Sequence, residues 1–423
     1  MRIGIVIGRI GGVDGVALET EKWITVLNRL GHTSFILTGE LEASMPDVTI
    51  LEELAFSHSG CIQDQKDAFF EQEISEDELV ARLKKDAAYI EHKILDWIEE
   101  NDIDVILNEN STTLPCHLTM GLALKNVIEN SEIQAVAHDH DFAWERGERY
   151  KTKYKSVKKI IADCFPPDLP NLKHAVINTN CYNVIHEKTG IYPLMVPNVM
   201  DFDEPFGLPD EYNSDLRSVL GLKEDDIALF QITRIVSRKG IETAIQLVKR
   251  LEDSRIKLFI TGNDIDNGQE YCIGLKKLIK ELDLEEQVFF VDHLFDNVRT
   301  TRNGKKVYSL SDGYAISRAI TYFSTYEGFG NGYLEAVVAK KPIFVNNYKP
   351  VYWPDIGSKG FRTVQIEDNI LTDDSVKEMK KIIYDENLGT EIGEFNYILG
   401  KKHFSFDNLE ILLKQLFDFS EML

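Results

Sequence analysis

Cysteine is scarce in this chain. Five residues in 423, at positions 61, 116, 164, 181 and 272, are odd in number and form no C-x-x-C pair. That argues against a disulfide framework and predicts reduced thiols in a cytoplasmic protein. Long apolar runs are missing too: no window approaches 18 uninterrupted apolar residues, so no transmembrane helix is expected. The opening "MRIGIVIGRIGG" carries an apolar run too short for a signal peptide, with glycines directly behind it. Positive charge is also short. Lys and Arg number 47 against 70 Asp and Glu, a formal net charge of −23. A field of that sign repels nucleic acid and anionic membrane at long range, so neither is favoured as a partner. Screening limits each charge to about 8 Å at physiological salt. A small anionic ligand must therefore be met by a local cluster of cations, and the few such clusters become informative.

What is present is a chain with 43% hydrophobic residues, enough for two cores. Residues 3–7 form a β-branched run around one glycine, the pattern of a buried parallel strand. A glycine-rich turn follows, "GRIGGVDG", and then Trp23, Val26, Leu27 and Leu30 at helical spacing, with Gly31 where a helix ends. "TSFIL" gives the next strand, and "DVILN", "IQAVAH" and "HAVIN" continue the series. A second series starts after residue 200. "IALFQIT", "KLFITG", "QVFFVD", "AITYFS" and "KPIFVN" read as strands, and 241–251 as an amphipathic helix between the first two. The proline- and acid-rich "VPNVMDFDEPFGLPDEYNSD" separates the two series. The pattern predicts two Rossmann-like, doubly wound α/β domains facing a cleft, over 1–200 and 201–402. A last amphipathic helix in 403–423 is expected to cross back to the first domain.

The stretch with the most chemistry is "TYEGFGNGYLEA", residues 325–336, where Glu327 and Glu335 flank three glycines. "AITYFS" should be a strand and "NGYLEAVVA" the helix after it. "EGFG" then occupies the turn at the sheet's carboxyl edge, where open α/β sheets bind ligands. Glycines there let backbone amides approach a phosphate, and a helix N-terminus favours negative charge. Carboxylates suit hydroxyls better than phosphates. Together they fit a ligand that is part diphosphate and part polyol, a sugar nucleotide. Glu335 taken alone also reads as a solvated helix glutamate, and the pair as the acid and nucleophile of a glycosidase. Upstream, in "FQITRIVSRKGIETAIQL", Arg234 follows a strand and Lys239 precedes a helix on the same predicted edge. Cations there suit a diphosphate leaving group. Because both lie on a turn and not on an apolar face, their removal is expected to leave stability unchanged.

Arg234 with Lys239-Gly240, the E-x7-E pair Glu327/Glu335 and the "VPNVMDF" linker resemble retaining glycosyltransferases of family 4, with the GT-B fold. The resemblance spans nearly the whole chain and is sharper in its C-terminal half. It implies transfer of a hexosyl group from a UDP- or GDP-sugar to a hydroxyl of a small soluble acceptor, with retained configuration and no metal or other cofactor. By position, it implies that Arg234 and Lys239 hold the diphosphate, Glu327 the transferred sugar and Glu335 the ribose. Gly11, Gly12, Gly262, Gly328, Phe329, Gly330 and Asn331 complete the donor set. On the acceptor side it implies Asp14, Asn108, His138, His140, Trp144 and Arg146. With the strand taken to end near Ala137, His138 emerges at the carboxyl edge and becomes the first choice for the residue beside the reacting sugar, with His140 second.

Three features leave alternatives open. Asp139-His140-Asp141 matches a D-x-D metal motif, but Asp102/Asp104, Asp201/Asp203 and Asp264/Asp266 repeat that spacing in so acidic a chain. "YKTKYKSVKK" carries five lysines between Lys151 and Lys159. They read as a funnel for an anionic acceptor, an attachment to an anionic lipid surface, or a solvated helix face. A sugar phosphorylase, a membrane-surface lipid or polysaccharide transferase and an inactive sugar-nucleotide-binding subunit remain alternatives in function. A monomer or homodimer is expected.

Overall fold

The computed structural model describes residues 1–12, 14–262 and 269–419. The Asp264/Asp266 pair and Val13 of the first glycine-rich loop lie outside them. The chain forms two compact units, Met1–Asn198 together with Phe406–Leu423, and Val199–Ser405. Among the described residues no helix is long and apolar enough to cross a membrane.

The first unit is built on a seven-stranded sheet: β1 (Arg2–Ile10), β2 (Thr33–Leu41), β3 (Val48–Ile50), β4 (Val105–Glu109), β5 (Gln134–Asp139), β6 (Leu172–Val176) and β7 (Leu194–Met195). All neighbours are parallel, in the order β3-β2-β1-β4-β5-β6-β7. Parallel strands need crossovers that cover both faces, which is why Ile3, Ile5 and Val6 of β1 have no exposed surface. The longest helix, Glu76–Glu100, sets Leu79, Leu83, Ala87, Ile90, Ile94 and Trp97 on its buried stripe. The helix Phe406–Leu416 belongs to this unit. Leu409 and Leu413 are fully buried, and the Arg29 guanidinium lies 5.0 Å from the Phe406 ring centroid.

The second unit has a six-stranded parallel sheet: β8 (Ile227–Gln231), β9 (Ile256–Ile260), β10 (Val288–Phe290), then, after a small sheet of β11 (Phe295–Asp296), β12 (Thr300–Arg302) and β13 (Lys305–Ser309), the strands β14 (Ala319–Tyr322), β15 (Ile343–Asn346) and β16 (Val364–Ile366). The order is β10-β9-β8-β14-β15-β16. The helix Ile241–Leu251 has the limits that its periodicity predicts, and it buries Ile241, Ala244, Ile245, Leu247, Val248 and Leu251.

Both sheets reverse their winding once, between β1 and β4 in the first unit and between β8 and β14 in the second. At such a switch point the loops leaving two adjacent strands run in opposite directions and open a crevice at the carboxyl edge. The glycine-rich loop and Glu109 follow or end β1 and β4. Arg234, Lys239 and Glu327 follow β8 and β14.

Candidate functional site

In the second unit, Gln231 at the end of β8 ties the two switch-point loops together. Its side-chain amide donates to the Lys239 carbonyl at 2.8 Å and accepts from the Thr321 hydroxyl of β14 at 2.8 Å. The Thr325 amide donates to the Arg238 carbonyl at 2.7 Å. Gly240 then turns the chain into the helix Ile241–Leu251 with φ +59°, pressed so closely on the Phe323 carbonyl that any side chain would collide.

This clamp brings three charged groups together. The Lys239 ammonium donates to Glu327, and Arg238 Nη1 donates to Glu327 Oε2 at 3.0 Å and to the Tyr326 carbonyl at 2.9 Å. Glu327 is 8% exposed. Burial pushes its carboxyl upward, but the charges of Lys239 and Arg238 outweigh it and hold the group below the usual range. Burial lowers the Lys239 ammonium, Glu327 opposes that, and Arg238 and Arg234 lower it further. Arg234 itself is exposed, and its charge is felt at Lys239. Lys239 is therefore not the free turn residue expected from sequence. Its side chain is 12% exposed and ion-paired, so its removal bears on folding as well as on ligand binding. Arg238 was missed; the doubled cation of "SRKG" was the only signal for it.

Glu335 lies on the helix Asn331–Val338 and accepts from the Tyr314 hydroxyl at 2.9 Å. Tyr314, fully buried, also reaches the Gly332 carbonyl at 3.2 Å. Burial and then the Glu335 charge push its hydroxyl well above the usual range, so it remains a donor at neutral pH. No motif in the sequence marks Tyr314. Gly330 opens the helix at φ +129°, where a side chain would strike the Tyr348 hydroxyl; that hydroxyl donates to the Phe329 carbonyl at 2.9 Å. Phe329 puts its ring into the core beside Phe404, while Gly328 stays exposed and Asn331 half-buried at the helix start. Gly262 lies just past β9, its α-carbon packed on the Thr233 carbonyl.

In the first unit the structure corrects the expected end of one strand. Strand β5 runs to Asp139, two residues beyond the expected end, so His138 lies inside the sheet. Its Cα partner on β4 is Glu109, and His138 Nδ1 lies 3.0 Å from Glu109 Oε2. Trp23 stacks on the ring, with centroids 3.9 Å apart. His138 has no exposed surface, and burial holds it neutral by lowering its pKa. Burial would raise Glu109, but the His138 hydrogen bond and the neighbouring His140 hold it below the usual carboxylate range. His140 is the first residue past the strand. Its backbone amide donates to Asn110 Oδ1 at 3.0 Å, its ring centroid is 4.2 Å from that of His138, and its Nε2 is 3.7 Å from Glu109 Oε2. The longer strand thus moves the edge position from His138 to His140.

Asn108 is fully buried; it donates to Thr112 and accepts from the Ser111 amide at 3.2 Å, which braces the turn after β4. Asp14 caps the helix Gly15–Arg29. One oxygen accepts from the Val16 and Ala17 amides at 3.0 and 3.1 Å, and the other from Arg9 at 2.9 Å. Gly11 takes the left-handed turn, φ +81°, directly after β1, and Gly12 packs on the Glu42 carboxylate. Trp144 is half-buried and stacks on Phe142 at 4.6 Å, with the Lys188 ammonium 5.6 Å from its ring centroid. Arg146 is ion-paired with Asp141.

The D-x-D carboxylates are otherwise engaged. Asp139 is buried against His174 Nδ1 at 2.7 Å, and Asp141 accepts from Asn110 at 3.2 Å besides pairing with Arg146. Among the described residues, the group whose donor atoms lie close enough to hold a metal is Glu109, His138 and His140, within 4.8 Å of one another. The five lysines from Lys151 to Lys159 are all exposed, while Thr152, Tyr154 and Val157 between them, and Ile160 after them, are buried. They form the solvated face of an amphipathic segment leading into the helix Lys155–Cys164.

Comparison with known proteins agrees with this layout. The model of the family "Glycosyl transferases group 1" matches residues 213–397. Mannosylglucosylglycerate synthase of Thermotoga maritima is 31% identical over 98% of this chain and 99% of its own length. The enzyme of the same name from Petrotoga mobilis is 30% identical over 86% of each. A glycosyltransferase structure from Rickettsia africae covers 100% of this chain and 98% of its own with a TM-score of 0.66, at 16% identity, a likeness of fold. With two Rossmann-like parallel sheets and similarity over nearly its full length to the Thermotoga maritima synthase, the chain belongs to the group 1 glycosyltransferases of GT-B fold.

Proposed function

We propose that this protein is a retaining mannosyltransferase that moves a mannosyl group from a nucleoside diphosphate mannose to a hydroxyl of glucosylglycerate or a close relative of it. The similarity over nearly the full length of both chains to a mannosylglucosylglycerate synthase carries the reading of substrate. The cluster of Arg234, Arg238, Lys239 and Glu327 at the switch point of the second unit supports the reading of chemistry.

In this mechanism the C1–O bond of the donor breaks towards an oxocarbenium-like state. Arg234 and Lys239 stabilise the departing diphosphate, the acceptor hydroxyl attacks from the same face, and a leaving phosphate oxygen takes its proton. No protein nucleophile takes part. Glu327 faces the transferred sugar and Glu335 the ribose. Lys239 and Arg238 keep Glu327 ionised, so its carboxylate is available to sugar hydroxyls as positive charge develops on the ring. His140, at the carboxyl edge of the first sheet, takes the acceptor-side role first given to His138. The diphosphate is neutralised by side chains, and no metal is required for its departure.

The test is a donor panel of UDP-glucose, UDP-N-acetylglucosamine and GDP-mannose, each with and without glucosylglycerate, following nucleoside diphosphate release. GDP-mannose with glucosylglycerate should give the fastest release, and the product anomeric configuration by NMR should match the donor. Release that does not depend on glucosylglycerate with any donor overturns the acceptor, and an inverted product overturns the mechanism.

A further inference from the structure

In a chain with 70 acidic residues, an arginine without a carboxylate is conspicuous. Arg149 is exposed, and among the described residues no carboxylate forms an ion pair with it. Its neighbours are aromatic. The guanidinium carbon lies 5.6 Å from the Phe70 ring centroid and 5.4 Å from that of Tyr150, and Tyr150 is braced edge-on by Phe69 at 5.4 Å. Rings hold a guanidinium in place by cation–π attraction without neutralising it, so its forked N–H donors stay available to an outside anion.

The position is continuous with the carboxyl edge of the first sheet. His140 binds Asn110 through its amide, Asn110 binds Asp141, Asp141 pairs with Arg146, and the Arg149 amide donates to the Arg146 carbonyl at 3.2 Å. Gly147, between the two arginines, has φ +56° with open space around it, so the segment turns without placing a side chain beside them. The charges of both Arg149 and Arg146 are felt at Cys116. Arg146 is held by Asp141, whereas Arg149 has its charge to spare.

We propose that Arg149, seated on Phe70 and Tyr150, is the receptor for the carboxylate of the acceptor, which makes this an anionic subsite for a small glycosylated hydroxy acid. A planar guanidinium meets a carboxylate with two parallel hydrogen bonds. The exposed Phe70 edge offers an apolar surface to the carbon chain beside it. The inference rests on the proposed function for the identity of the acceptor, though not for the existence of the site.

The test compares wild type, Arg149→Gln and Arg149→Lys, with the melting temperature of each as the check on folding. With GDP-mannose as donor, kcat/KM is measured for glucosylglycerate and for its neutral counterpart glucosylglycerol. The ratio of the two should fall at least tenfold in Arg149→Gln, mainly through KM of the charged acceptor, with Arg149→Lys between. A ratio that stays at the wild-type value overturns the subsite. In parallel, saturation-transfer NMR with millimolar glycerate, which needs no transfer reaction, should show contact with wild type and its loss in Arg149→Gln. Glycerate contact that depends on Arg149 while glucosylglycerate is not a substrate keeps the subsite and overturns the proposed acceptor. Equal glycerate signals in the two proteins overturn the subsite itself.

Discussion

Lys239 and Glu327, 88 residues apart in the chain, form a buried ion pair at the switch point of the second sheet, with Arg238 on the other carboxylate oxygen. Lys239→Ala should therefore act twice. It should lower turnover at least tenfold through loss of a diphosphate contact, and it should cost about 1.5–3 kcal/mol of stability, the range for hydrogen bonds to charged groups. Arg234→Ala, at an exposed position, should lower turnover with little change in melting temperature. The pH dependence of Glu327→Gln follows from the pKa shift. The folded-state pKa of Glu327 is below the unfolded value near 4.5, so the stabilisation that its charge supplies is complete above that pH and fades as pH falls through the folded value. Denaturant titrations at pH 7, 5 and 4 should show a destabilisation by Glu327→Gln that is constant from 7 to 5 and smaller at 4. Equal differences at all three would refute the ionised pair.

The two glutamates should fail differently. Glu335→Gln loses a charge-assisted bond worth about 1.5–3 kcal/mol in ground and transition states alike, so it should weaken donor binding. Tyr314→Phe, which leaves Glu335 without its hydroxyl donor, should do the same to a smaller degree. Glu327→Gln should lower kcat more than donor affinity. Calorimetric titration of free nucleoside diphosphate, which lacks the sugar, should give near-normal binding to Glu327→Gln and poor binding to Glu335→Gln. The reverse order would remove the split roles.

His138 and His140 stand two residues apart but in different settings. His138→Ala opens a cavity beneath Trp23 and leaves the Glu109 carboxylate without its imidazole donor, and should destabilise the fold by at least about 1–3 kcal/mol. His140→Ala should lower kcat with a smaller stability change. Thermal melts together with initial rates decide it, and full activity in a well-folded His140→Ala would return the role to neighbouring residues.

Turnover should survive excess EDTA, since in the proposed mechanism side-chain cations neutralise the diphosphate. If chelation abolishes turnover and zinc or manganese restores it, Glu109, His138 and His140 are the ligands to mutate first, because Asp139 is committed to His174. Metal analysis of the purified protein provides the independent measure.

Much of this protein is written locally. The β-branched run of residues 3–7, the strand-forming run of 319–324, the helix Ile241–Leu251 and the glycine-bounded turns follow from local residue type, from the period of 3.6 and from the residues that break it. The cations of "RIVSRKG" and the glutamates of "EGFGNGYLE" were legible for the same reason, since each motif lies on one strand-to-helix turn. What the sequence alone left undecided was which charges meet. That Lys239 and Arg238 neutralise Glu327, 88 residues from Lys239, depends on β8 and β14 being neighbours, a pairing that local pattern does not encode. The same limit misplaced His138. Strand length is set by pairing with neighbouring strands: register with β6 carried β5 to Asp139, and register with β4 buried His138 against Glu109, leaving His140 at the edge. Asp14 and Asn108, which the resemblance put on the acceptor side, serve the backbone as well: Asp14 accepts from N–H groups left unpaired at a helix start, and Asn108, near the end of β4, from one in the turn that follows.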